Sequence, residues 1–327
     1  MNEYFKSVIL KSTNAKAIKE SILIQNLWSG YGEILRIKLE EADVESVVIK
    51  HVKLPLDSAH PRGWNTDFSH QRKVKSYQVE TYWYQHFAMN CDDECRIPKC
   101  LAFESKDGEV LMVLEDLDAS GFPERKHSVS WTEIKSCLHW LANFHASFLG
   151  EKPTGLWEIG TYWHLDTRPD EFEELTDKDL KQYAKDIDEV LKNANFQTFV
   201  HGDAKLANFC FSSDGQKASA VDFQYVGGGC GMKDLVYFIG SCLNENECEL
   251  YEQELLDIYF QELKKALEQK DSPINFDDLE KEWRTLFPYA WTDFHRFLKG
   301  WSPGHWKINS YSERLAREVV KDIKSKS

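Results

Sequence analysis

Three side chains in one short part of the chain could do metal-assisted chemistry on a hydroxyl: Asp203, Asn208 and Asp222. They lie in Phe199-Val200-His201-Gly202-Asp203-Ala204-Lys205-Leu206-Ala207-Asn208-Phe209-Cys210-Phe211 and in Ser219-Ala220-Val221-Asp222-Phe223-Gln224. Phe199-Val200 and Phe209-Cys210-Phe211 predict short buried strands, which makes His201 to Asn208 the loop between them. Binding and catalytic groups commonly sit on such loops. Asp214-Gly215 then predicts a hairpin. With those two residues as the turn, Ser213 faces Gln216 and Asn208 faces Val221, so Asp222 falls one position further along, close to Asn208. An amide oxygen beside a carboxylate suits Mg²⁺, which keeps waters and takes its other ligands from phosphates. Asp203 lies across the loop, free to accept a proton from a substrate hydroxyl. The competing local reading makes Asp203 and Asn208 turn caps and lets Asp222 begin another turn.

The elements that must position these groups come earlier. Residues 1 to about 115 read as β-rich. Ile22-Leu23-Ile24 leads into Gly30-Tyr31-Gly32-Glu33-Ile34-Leu35-Arg36-Ile37-Lys38-Leu39, two strands joined through Gly30 and Gly32. These glycines let backbone amides approach a phosphate, or make a plain β-turn. Val47-Val48-Ile49-Lys50-His51-Val52 is a third strand. About Ser69 to Met89 has helical spacing, with Glu80 on the face of Tyr77, Tyr84 and Phe87. A carboxylate on an apolar stripe needs a buried partner, and Lys50 is the natural one; otherwise Glu80 reaches solvent at the stripe's edge. His60-Pro61-Arg62-Gly63-Trp64-Asn65 is a breaker-rich loop of a length that suggests a flap. Leu101-Ala102-Phe103 and Val110 to Leu114 form a hairpin across Asp107-Gly108. Beyond it the pattern turns mostly helical, with Ser130-Trp131-Thr132-Glu133 a capping box.

His201-Gly202-Asp203-Ala204-Lys205-Leu206-Ala207-Asn208 resembles the kinase catalytic loop H-x-D-x-K-x-x-N, and Asp222-Phe223-Gln224 stands where protein kinases carry Asp-Phe-Gly. The Gly after His is similar to the choline-kinase-like and aminoglycoside phosphotransferase-like branch of the protein-kinase-like superfamily. With Val113-Leu114-Glu115-Asp116-Leu117, the chain looks most like the ecdysteroid-kinase-type (CHK kinase-like) group, over most of residues 20 to 245. The resemblance implies an α+β, two-lobed protein-kinase-like fold: a nucleotide-binding lobe over 1–115, and a mainly helical catalytic and acceptor-binding lobe over 116–327. It implies ATP and Mg²⁺ as cofactors. Asp203 would be the base or hydroxyl-orienting residue and Lys205 would neutralise the moving phosphoryl group. Asn208 and Asp222 would hold the metal. Lys50, paired with Glu80, would reach the α- and β-phosphates, and the Glu115 and Leu117 backbone would bind adenine. These are the roles such residues take in kinase phosphoryl transfer. Asp234 matches the residue that braces the catalytic loop, and His145 a core histidine.

The stretch from Asp222 to Asp234 is too short for a protein kinase's peptide platform, so the expected acceptor is a small-molecule hydroxyl substrate: choline-like, aminoglycoside-like or another alcohol. The second reading is a nucleotide-binding pseudokinase acting by interaction. Gln224 in place of glycine and the incomplete glycine loop are departures from the family pattern. Trp283, Trp291, Asp293, His295, Trp301, His305 and Trp306 either wall an acceptor pocket or pack between helices. The acidic run Asp170 to Glu174 either attracts polycations or is a solvated helix face.

With 327 residues and 42% hydrophobic content, the chain can bury a substantial core. A net charge of -14 argues against a nucleic-acid surface. No apolar run reaches membrane length and the start lacks a secretory layout, so a cytoplasmic location, no membrane and reduced thiols are expected. Cys91, Cys95 and Cys100 cluster without a Cys-x-x-Cys pair, which sets free thiols against a zinc knuckle. No feature of the chain specifies an oligomer.

Overall fold

The computed structural model describes residues 2–27, 30–53 and 66–326. The expected flap at His60–Asn65 lies outside them, as do Trp28 and Ser29 of the glycine turn.

The N-terminal half is an antiparallel five-stranded sheet of order β1-β2-β3-β5-β4. Its strands are β1 (Ala17–Asn26), β2 (Gly32–Glu40), β3 (Ser46–Lys53), β4 (Cys100–Lys106) and β5 (Glu109–Glu115). A helix that the sequence pattern did not announce, α1 (Glu3–Thr13), packs Phe5 and Ile9 against Ile37, Ile49 and Val113 on one face. Asn2 caps it by accepting from the Phe5 N–H. Side chains alternate along β3, so Val47 and Ile49 join that core while Val48 and Lys50 face the opposite way. The β4–β5 hairpin turns on Asp107 and Gly108, both at positive φ, as an Asp-Gly turn requires.

Between β3 and β4 runs α2 (Thr66–His86), which begins before the expected Ser69 and gives way to a short 3-10 turn at Ala88–Asn90. The rest is mainly helical: α3 (Trp131–Ser147), α4 (Pro169–Glu173), α5 (Lys178–Lys192), α6 (Met232–Cys242), α7 (Glu245–Gln269), α8 (Phe276–Trp301) and α9 (Ser310–Lys326). The capping box at Ser130 and Glu133 is formed. Among these helices sit two small strand pairs, β6 (Thr198–Val200) with β9 (Gly227–Gly229), and β7 (Phe209–Phe211) with β8 (Ala218–Ala220).

The β7–β8 register pairs Phe209 with Ala220, which places Asn208 opposite Val221 as expected. The turn itself differs. Gly215 N–H closes on Ser212 O at 2.8 Å, and Gly215 alone takes a positive φ, so Ser213 and Asp214 form the bend. The register survives because the loop widens symmetrically about the same centre.

The core is strongly aromatic. Phe223 is fully buried and stacks on Trp83 of α2 at 4.9 Å, while Phe148, just past the end of α3, stacks on Phe199 of β6 at 4.9 Å. Trp283 and Trp291 are buried between helices, whereas Trp301 borders the central cleft and Trp306 is exposed. Asp293 is buried against Arg296 at 2.7 Å and Trp163 at 3.1 Å. Most of the suspected aromatic wall is therefore packing. In the acidic run, Glu171 is buried on Arg168 at 3.0 Å, so that stretch is not simply a solvated face.

Candidate active site

A cleft of about 740 Å³ lies between the sheet and the helical part. Ile24, Ile34 and Val48 border it on the sheet side, and Asp203, Lys205, Asn208 and Asp222 border it on the other.

Lys50 reaches across it. Its Nζ donates to Glu80 Oε2 at 2.6 Å and to Asp222 Oδ1 at 3.1 Å. Burial works against the ammonium, but Asp222 and Glu80 outweigh it and hold Lys50 above the ordinary lysine value. Asp222 shows the mirror effect: burial opposes its charge, and Lys50, Lys73 and Lys205 overcome this to keep it well below the usual carboxylate range.

Asp222 sits at φ 71°, a conformation that costs about 1–3 kcal/mol when over-determined by its surroundings. The surroundings are visible. Val221 N–H donates to Asn208 O at 3.0 Å, and Phe223 is locked in the core. Gln224, buried, donates from Nε2 to Asp222 Oδ1 at 2.7 Å, while its Oε1 accepts from Lys73 at 2.7 Å and Ser76 at 3.1 Å. The residue that departs from the family pattern thus ties Asp222 to α2.

The loop from His201 to Asn208 is held by backbone chemistry. Asp234, fully buried at the start of α6, accepts the His201 N–H at 2.5 Å and the Gly202 N–H at 2.9 Å, and contacts His145 Nε2 at 3.2 Å. His145 is in turn bonded to Tyr259 at 2.7 Å, which fits its expected core role. A Cβ on Gly202 would lie 2.1 Å from Tyr225 O, and its φ is 79°, so only glycine fits there. His201 Nδ1 accepts the Asp203 N–H at 3.2 Å, which leaves the proton on Nε2 to donate to Val221 O at 3.0 Å.

Asp203 Oδ2 accepts from Lys205 Nζ and from Asn208 Nδ2, both at 3.0 Å. With its amide nitrogen engaged, Asn208 turns Oδ1 outward. Neither Asn208 Oδ1 nor Asp222 Oδ2 accepts a hydrogen bond among the described residues. Two hard oxygens bordering one cleft, unclaimed among the described residues, fit a Mg²⁺ site of the kind that completes its shell with water and phosphate.

The other expected residues divide. Glu115 and Leu117 border the cleft. Glu115 spends its carboxylate on Arg96 at 2.6 Å, and the Leu117 N–H is unbonded among the described residues, available to a base. Gly30 and Gly32 do not border it, although Tyr31 between them does. A Cβ on Gly32 would lie 2.0 Å from His51 O, so the approach of β2 to β3 requires that glycine. Cys91 and Cys100 are half-buried and Cys95 is buried, all as free thiols.

The sequence reading missed Arg72, Lys73, Tyr162, Arg168 and Tyr225, which also border the cleft. Lys73 lies two helical turns before Glu80, and that spacing alone places the two on one face.

The sequence profile of the ecdysteroid kinase-like family matches residues 36–150 and 159–271. No curated protein sequence matches the chain. Among solved structures, similarity extends to a microcompartment-associated aminopropanol kinase at 13% identity, covering 98% of this chain and 94% of that one, with TM-score 0.56. The amicoumacin kinase hAmiN, in complex with AMP-PNP, Ca²⁺ and Ami, is 12% identical, covering 100% and 94%, with TM-score 0.52. An ethanolamine kinase of Plasmodium vivax is 13% identical, covering 97% and 88%, with TM-score 0.51. These likenesses establish a shared protein-kinase-like fold with a β-rich first lobe and a mainly helical second. With the profile matching well over half of its length, the chain belongs to the ecdysteroid kinase-like family.

Proposed function

We propose that this protein transfers the γ-phosphoryl group of MgATP to a hydroxyl of a small molecule. The observation that carries the reading is the convergence of Asp203, Asn208 and Asp222 on one cleft, with Asn208 Oδ1 and Asp222 Oδ2 unclaimed among the described residues. Asn208 and Asp222 would hold Mg²⁺, which when bound screens charge on the phosphates.

Asp203 orients the acceptor hydroxyl and takes its proton as the new oxygen–phosphorus bond forms; the bond from the γ-phosphorus to the β,γ-bridging oxygen breaks, and ADP leaves with that electron pair. Lys205, on Asp203 at 3.0 Å, offsets charge on the moving group. Lys50 positions the α- and β-phosphates, and the Leu117 N–H with the Glu115 backbone receives adenine. A small acceptor is supported by the segment after Asp222: Phe223, Gln224 and Val226 to Asp234 are buried, and β9 within it pairs with β6, so it displays no surface for a peptide. A pseudokinase reading finds no support, since each of these groups is intact.

No described helix is long and apolar enough to cross a membrane. All eight cysteines are free thiols, which supports a reducing, cytoplasmic setting.

Calorimetric titration with ATP, with and without Mg²⁺, tests the metal pair. Wild type should bind more tightly with Mg²⁺, and Asp222→Ala should lose that gain. Equal Mg²⁺ dependence in both proteins would remove Asp222 from the site.

A further inference from the structure

The charges around the cleft do not balance within the protein. Every carboxylate bordering it among the described residues already touches a cation: Glu80 and Asp222 on Lys50, Glu115 on Arg96, and Asp203 on Lys205. Two bordering cations, Arg72 and Lys73, have no carboxylate at ion-pair distance among the described residues. Arg72 donates to Thr167 O at 2.8 Å and lies beside the Tyr225 hydroxyl; Lys73 donates to the neutral Gln224 amide at 2.7 Å. Burial pushes both below their ordinary values, which is the mark of cations short of a counter-charge. Arg168, next to Arg72, is matched by Glu171 behind it.

A third cation stands just before α9. Lys307 Nζ forms no ion pair among the described residues and sits against the rings of Tyr237 at 4.9 Å, Phe294 at 5.5 Å and Trp306 at 5.5 Å. An aromatic box of this kind attracts a ligand ammonium, but here the chain's own ammonium fills it. A cationic acceptor therefore meets like charge and an occupied box, while an anion meets two cations in need of it.

We propose that Arg72 and Lys73 bind an anionic group, a carboxylate, sulfate or phosphate, carried by the acceptor alongside its reacting hydroxyl. The rest of the acceptor packs on the apolar faces of Tyr162, Phe297 and Trp301, which border the same cleft. The assignment rests on the phosphotransferase reading and narrows it to hydroxylated anions. The same chemistry could come from the nucleotide's γ-phosphate, so the test separates the two sources.

Wild type, Arg72→Gln and Arg72→Lys are saturated with MgAMP-PNP and titrated with inorganic sulfate, with 4-(hydroxymethyl)benzoate, and with the methyl ester of the latter. Losing a charge-assisted contact should weaken sulfate binding by about tenfold in Arg72→Gln, with partial recovery in Arg72→Lys. MgAMP-PNP affinity should stay within about threefold of wild type. Where the benzoate binds, it should compete with sulfate and its ester should not. Sulfate that does not bind the nucleotide-loaded protein, or binds wild type and Arg72→Gln equally, overturns the proposal. A parallel loss of MgAMP-PNP affinity overturns it too, because the pair would then serve the nucleotide. If MgAMP-PNP fails to bind wild type, the phosphotransferase reading falls, while the sulfate comparison on the free protein still decides the anion site.

Discussion

The two walls of the cleft treat charge in opposite ways. On the sheet wall, Lys50 and Glu80 satisfy one another and reach Asp222 across the cleft, and Glu115 is matched by Arg96. On the helical wall, Arg72, Lys73 and Lys307 form no ion pair among the described residues; their direct contacts are Thr167 O, the Gln224 amide and aromatic rings. The first wall is self-sufficient and fixes geometry before any ligand arrives. The second leaves positive charge for the ligand to answer. Chemistry shared by a family suits the first arrangement, and choice of acceptor suits the second.

Removing a charge from each wall should therefore have unequal effects on stability. Lys50→Met strands Glu80 in the core and should cost about 3–5 kcal/mol, the range for breaking a buried pair from one side. Arg72→Gln should leave stability within about 1 kcal/mol, because no carboxylate among the described residues loses a partner. Denaturant unfolding of the two variants checks the contrast, and equal losses would erase the distinction between the walls.

Gln224→Gly restores the residue of the kinase pattern and sharpens the comparison at the seam. It removes the bond that steadies Asp222 and frees the Lys73 amine. Support of this kind for a metal ligand typically sets about 10–100-fold in metal affinity, so the apparent Mg²⁺ requirement should rise by that order. An unchanged Mg²⁺ profile would make Gln224 a spectator.

The smallest effect is a pH dependence. Burial brings the Lys307 ammonium down to about 8. Between there and the unfolded lysine value of about 10.4, the unfolded chain binds more protons at this site, so its contribution to stability rises with pH. Below about 8 both states are charged and the burial penalty is felt in full. Lys307→Met should thus be more stable than wild type at neutral pH, and the difference should shrink from pH 8 to 10. A difference that stays flat over that interval would place Lys307 in water.

Much of the sheet wall and of the His201–Asn208 loop facing it was legible in the sequence because their signals are local or periodic. The spacing of Asp203, Lys205 and Asn208 survives as a loop between two strands. The apolar stripe around Glu80 called for a buried cation, and Lys50 is there at 2.6 Å. The Asn208–Val221 register came out correctly although the turn was assigned to the wrong pair, since register depends on the loop's centre and not on its type. The helical wall was harder to read. Arg72 and Lys73 sit in a polar stretch of α2 that resembles any solvated face, and their burial arises from Tyr225 and Gln224, over 150 positions away. Likewise Trp283 and Trp301 are identical in kind, and only the packing of α8 sends one into the core and the other to the cleft. The helix α1 was overlooked because its few apolar residues acquire meaning only against the back of the sheet.

The central claim is the transfer itself, and acceptor-dependent release of ADP from MgATP tests it most directly. Wild type and Asp203→Ala would be run side by side across hydroxylated carboxylates, sterol-like alcohols, sugars, aminoglycosides and choline, with products weighed for one added phosphoryl group. Release with at least one acceptor, falling by about 10²–10⁴-fold in Asp203→Ala while MgATP still binds, is the expected result. Transfer at the wild-type rate by Asp203→Ala, or MgATP binding with no transfer to any acceptor class, would contradict it.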